Sequence, residues 1–109
     1  MATYFKNKVV KNVGTIPILG IETDASTRST VLGLNLSNLT GGIVYVSILL
    51  NDDTSNQGYY LKDVSLPPNT SLKTLSAGEK LILAPTNQLF IVATEDDSVD
   101  VIISYVDII

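Results

Sequence analysis

Cysteine, histidine and tryptophan are all absent from the chain. Without cysteine there is neither a disulfide nor a thiolate metal site, so the fold must rest on packing and ladder hydrogen bonds, which suits a reducing compartment. Without histidine the usual general base at neutral pH is missing, and with both gone the common nucleophile–base pairs are excluded. Long apolar runs are lacking too. None approaches the ~18 residues of a membrane-spanning helix, and Met1 to Lys6 has no apolar core of the kind a signal peptide carries. The expectation is a soluble, unsecreted product with no membrane partner.

Cations are scarce, 7 Lys and Arg against 11 Asp and Glu, for a net charge of −4. Three of them, Lys6, Lys8 and Lys11, sit at the start, so the remainder carries four cations against eleven anions. An acidic body repels phosphate backbones, so no nucleic-acid partner is expected. The segment 1–11 reads as a basic arm that docks on an acidic partner, or as an edge strand guarded by lysines.

Helical periodicity is the last absence. No long segment has an i, i+3, i+4, i+7 apolar stripe; apolar residues alternate or form short blocks between Gly, Pro, Asn, Asp and Ser. At 109 residues the chain is read as one domain, 1–109. The fold class is all-β: a single antiparallel β-sandwich of jelly-roll or immunoglobulin-like type with about 8–9 strands.

What is present centres on Thr30 to Leu50, TVLGLNLSNLTGGIVYVSILL. It reads as a core hairpin turning at Asn38 to Gly42, the glycine pair supplying positive φ. Leu32, Leu34 and Leu36 share one face of its first arm, and Val44, Val46, Ile48 and Leu50 one face of its second. Upstream, Tyr4 to Val10 sets Lys6 and Lys8 against Phe5, Asn7 and Val9, and Val13 to Ile21 follows with Pro17 inside it. A proline removes a ladder donor, which puts that piece at an edge or at a crossing between sheets. Downstream, Tyr59 to Val64, Ser71 to Leu75, Lys80 to Leu83, Leu89 to Thr94 and Val99 to Val106 are strands, separated by Pro67-Pro68, Ala77-Gly78, Ala84 to Asn87 and Glu95 to Ser98.

Chemistry is poorly provided for. The remaining carboxylates, Asp52, Asp53, Glu95, Asp96 and Asp97, fall in turns rather than as a pair held in a cleft, so no catalytic residue and no enzymatic activity are expected. Asn51 to Asp53 and Glu95 to Asp97 present hard oxygens in loops that could share one end of a sandwich. Neither has EF-hand spacing, and no metal or other cofactor is assigned. The triplets beginning at Asn35, Asn38 and Asn69 match the glycosylation pattern but lack a secretory context. Of Tyr59 and Tyr60, alternation sends one inward and leaves one outside.

The apolar content, 45%, is the informative excess. Ile43, Tyr45 and Leu49 lie on the face opposite Val44, Val46 and Ile48, and Ile102 and Val106 lie opposite Val99, Val101 and Ile103. A two-layer sandwich covers one face of each sheet, so the second set needs cover from another chain, or from loops of its own. The candidate interface is therefore Ile43, Tyr45, Leu49, Ile102 and Val106, with Lys6, Lys8 and Lys11 as charged contacts.

Several motifs in order, VGTIP at Val13, VLGLNLSN at Val31, YYLKD at Tyr59 with LPP at Leu66, KLIL at Lys80 and SVDVIIS at Ser98, resemble small β-rich virion proteins of tailed bacteriophages. The pattern departs at Asn87-Gln88, where such proteins often carry Gly-Asp. The resemblance implies a non-enzymatic component of a phage particle. The expectation built on it is a capsid decoration or cement protein, or a neck or tail accessory, assembled in the host cytoplasm and located in the virion. Its expected partners are itself, as a homo-oligomer and specifically a trimer, and a major capsid or other virion protein. The alternative is a carbohydrate-binding module with Tyr59, Tyr60 or Tyr45 as its platform and calcium in an acidic loop.

Overall fold

Nested pairing organises the molecule. In the computed structural model, which describes residues 2–75 and 80–109, the strands are β1 (Thr3–Val13), β2 (Ile18–Glu22), β3 (Arg28–Asn38), β4 (Val44–Asn51), β5 (Gln57–Leu66), β6 (Ser71–Lys73), β7 (Leu81–Leu83), β8 (Gln88–Ala93) and β9 (Val99–Ile108). The first pairs with the last, the second with the last but one, β3 with β6 and β4 with β5, all antiparallel. One sheet runs β1-β9-β3-β6, with β7 also on β3, and the other runs β2-β8-β4-β5. This order is that of a jelly roll, which settles the two alternatives read from the strand pattern. The turn expected at Ala77-Gly78 lies outside the described residues.

Alternation built the core. Val10, Val13, Val31, Leu34, Leu36, Leu83, Val99, Val101 and Ile103 point inward from the first sheet, and Ile21, Val44, Val46, Ile48, Leu66, Leu89, Ile91 and Ala93 from the second. Each fully buried aliphatic side chain contributes about 1.5–3 kcal/mol relative to exposure.

Thr30 to Leu50 is not a hairpin. β3 and β4 belong to different sheets and do not pair, so their apolar faces meet across the core instead of lying side by side. Asn38, almost wholly buried, holds the arch between them. Its Nδ2 donates to the carbonyls of Gly42 (2.8 Å), Leu66 (3.0 Å) and Pro67 (3.1 Å), while its Oδ1 accepts from Thr40 N and Oγ1, both at 2.8 Å. An arch spanning two layers does not need the left-handed turn of a hairpin, and neither Gly41 nor Gly42 has positive φ.

Register shifts redirect individual side chains. One in β3 between Val31 and Gly33 leaves Leu32 without a partner on β9, and Leu32 is exposed while Leu34 and Leu36 stay in the core. Another opposes Ser47 to the Lys62-Asp63 pair of β5. There Asp63 adopts φ 47°, its N–H donating to Ser47 Oγ at 2.9 Å. Pro17 lies in the connection that carries the chain from β1 in one sheet to β2 at the edge of the other.

Candidate interaction surfaces

The outer face of the β1-β9-β3 sheet carries exposed apolar side chains in two of its ladder rows. Phe5, Val106, Thr30 and Ile82 stand in one row across β1, β9, β3 and β7. Val9, Ile102, Asn35 and Lys73 form a second across β1, β9, β3 and β6. Phe5 is 81% exposed, Ile82 59%, Val9 55% and Ile102 45%. Leu32, released by the shift in β3, lines the same hollow as Ile102 and Ser104. Val106 departs from expectation. Its parity is outward and it is absent from the core cluster, yet it is only 8% exposed, with Phe5 and Thr30 its cross-strand neighbours. It is thus a floor beneath the outer face, not a free contact residue.

The second sheet has an apolar row of its own. Leu19, Phe90, Leu49 and Tyr59 cross β2, β8, β4 and β5 in one line, with Leu19 and Tyr59 exposed and Phe90 and Leu49 half-buried. Lys62 Nζ lies 5.2 Å from the Tyr59 ring centroid. Ile43 and Tyr45, also exposed, stand at the arch end of β4. Ile102 is on the opposite sheet, so the residues singled out from sequence are divided between two faces.

Lys6, Lys8 and Lys11 are all exposed on β1, which is an edge strand of its sheet. Lys6 Nζ is 2.9 Å from Asp107 Oδ2, and this hydrogen bond raises its pKa above the ordinary 10.5. Asp107 Oδ1 in turn accepts a short hydrogen bond from the buried hydroxyl of Ser29, so a polar chain crosses β1, β9 and β3.

The acidic loops lie apart. Residues 52–56 follow the end of β4 that pairs with the start of β8, and residues 95–97 follow the other end of β8. They therefore cannot share one ion. Their carboxylates are engaged locally: Asp52 Oδ1 accepts from Thr54 Oγ1 (2.6 Å), Thr54 N (2.9 Å) and Asn56 N (3.0 Å). Asp96 Oδ1 accepts from Thr15 Oγ1 at 2.9 Å. Among the described residues no group of three or more acidic side chains is placed to hold a metal. Tyr59 and Tyr60 line one hollow together with Asp52, although Tyr60 also packs against the core, and Tyr45 stands in a different row. No helix among the described residues is long and apolar enough to cross a membrane.

Phe5, Val9, Ile82, Leu19 and Phe90 were not among the sequence candidates. The alternation of Phe5, Asn7 and Val9 marked one face of a strand, but only the ladder shows that β9 continues that face through Val106 and Ile102.

No family model and no curated protein matches the chain. The fold is similar to that of a protein of Bacillus endospore appendages, a family of disulfide-linked pili, with TM-score 0.58 and 8% identity over 96% of this chain and 86% of that one. It is also similar to part of a protein of the infectious bursal disease virus T13 particle, with TM-score 0.57 and 9% identity. That match covers 97% of this chain but 30% of the viral one, so the chain spans about a third of the viral protein's length.

Proposed function

We propose that the chain is a non-enzymatic structural subunit of an assembled particle, most specifically a capsid decoration or cement protein of a tailed bacteriophage. It self-associates through apolar outer sheet faces, as a trimer, and is seated on a larger shell protein. The observation that carries this reading is the outer face bearing Phe5, Val9, Ile82 and Ile102, which no part of the described chain covers. Ile43, Tyr45, Leu49 and the Leu19-Phe90 row are the second contact area. At ~25 cal/mol per Å², covering roughly 400 Å² of apolar surface per subunit contributes about 10 kcal/mol. Much of this is offset by lost rotational and translational freedom, so the contact depends on concentration until a shell completes it. That the fold recurs in a pilus and in a viral particle supports an assembling role. Disulfide linkage of the kind described for the appendages is closed to a chain without cysteine.

Sedimentation of the isolated protein, together with its stoichiometry on purified particles, tests the reading. The expected results are concentration-dependent association and a fixed ratio to the major shell protein. A monomer at high concentration that is absent from particles overturns it.

A further inference from the structure

A two-sheet sandwich has four edges at which a foreign strand can add, and proteins usually blunt them. Three are blunted by shortness or register shifts, and the fourth, β1, only by its lysines. β5 has two register shifts against β4 and carries Asp63 at φ 47°. β2 is five residues long with a shift between Leu19 and Ile21. The edge opposite β1 is divided into β6 and β7, three residues each. β1 alone is long and regular, in unbroken register with β9 from Thr3 to Val10. Along it every side chain from Thr3 to Val9 is exposed, Lys6 and Lys8 to one side and Phe5, Asn7 and Val9 to the other. Asp107 engages Lys6, whereas Lys8 has no ion-pair partner among the described residues.

We infer that the free edge of β1 receives an extended strand from a different protein chain, one in which acidic residues alternate with apolar ones. Main-chain hydrogen bonds along such an edge give affinity, and alternate side chains give selectivity. An acidic side chain opposite Lys8 supplies its ion pair, one opposite Lys6 joins the existing pair with Asp107, and apolar ones opposite Phe5 and Val9 extend the apolar outer face. A second copy of this chain offers no acidic residue along β1 to face Lys6 and Lys8. The antiparallel register that matches Phe5 to Val9 of the copy also sets Lys6 against Lys8, and like charges directly opposite destabilise a pair. The lysines thus disfavour that self-pairing register and favour an acidic strand. This inference deepens the docking half of the proposed function and rests on it.

The test uses the full chain and a short amidated peptide with the core VETEV, followed by amide hydrogen exchange and fluorescence anisotropy. The expected result is slowed exchange along β1, no binding by the same peptide N-methylated at alternate residues, and about tenfold weaker binding to Lys8→Glu. The inference is overturned if β1 exchange is unchanged at millimolar peptide, if the N-methylated peptide binds equally, or if protection appears at β2 or β5 instead. Light scattering on the same samples separates the two readings. Peptide binding by a strictly monomeric protein sinks self-association and leaves the edge site standing, whereas self-association without peptide binding sinks the edge site alone.

Discussion

Val9 on β1 and Ile102 on β9 stand directly opposite each other on the outer face of their sheet, both exposed, while the next residues along, Val10 and Val101, meet in the core. One ladder therefore serves two surfaces, and charge can be placed on one without touching the other. Phe5→Lys combined with Ile102→Lys should abolish self-association while shifting the melting temperature by only a few degrees. Sedimentation and thermal denaturation check this; a variant that unfolds outright would show those side chains to be structural.

The second face is tested by Ile43→Lys with Leu49→Lys. Val44, Val46 and Ile48 remain inward in this variant, so the domain should stay folded. Leu49 is half-buried between Phe90 and Tyr59, and its loss should cost about 1 kcal/mol, more than the change at Ile43. Association that survives this variant but not the first assigns the interface to the β1-β9-β3 sheet.

Removing residues 1–11 should destroy cooperative unfolding. β1 pairs with β9 along its length and inserts Val10 into the core, so truncation removes a buried side chain and a whole ladder. A circular-dichroism melt with no sharp transition is the expected result, and a truncated chain that melts like the full one would return the segment to the status of a detachable arm.

Asn38→Ala should be strongly destabilising. Three carbonyls lose their donor and the Thr40 amide loses its acceptor, in a site nearly closed to water. Leaving buried groups unpaired costs about 2–4 kcal/mol, which urea denaturation resolves.

Stability should fall at both ends of the pH scale. The Lys6 pKa is raised in the folded state, chiefly by its hydrogen bond to Asp107, so its contribution is full below 10.5 and is lost as pH rises through the folded value. Asp24 and Asp52 are lowered from 3.8, first by hydrogen bonds from Thr27 and Thr54 respectively. Their contribution is full above 3.8 and is lost as pH falls through the folded values. Lys6 and Asp24 are exposed and Asp52 is partly so, so the slopes should be shallow and reduced by salt. Lys6→Met should flatten the alkaline limb alone.

Much of the strand content was legible because period-two alternation is a local signal, and Val44, Val46 and Ile48 were assigned inward from it correctly. The same signal tells which way a side chain points but not which sheet its strand joins. Hence β3 and β4 read as a hairpin, although Asn38 and the connection behind it fold them into separate layers. Leu32 was misplaced because a register shift is a property of two strands and cannot be seen in one. Val106 had the right parity but is buried, and its cross-strand neighbours Phe5 and Thr30 are distant in sequence. The acidic loops looked alike in composition, and only the direction of β8 between them shows that they sit at opposite ends.

The pairing of Thr3 with Ile108 also sets the order of events during synthesis. β9 lies between β1 and β3, so until the last strand is made β1 has no partner in its sheet and β3 is paired only on its β6-β7 side. β1 is then a long unpaired strand on a nascent chain, and β3 exposes one open edge. Closure joins residues about as far apart as the chain allows, so folding belongs with slow, high-contact-order β proteins, on the order of milliseconds to seconds after β9 emerges. The lysines exposed on β1 are the kind of residue that opposes strand pairing between nascent chains during that interval.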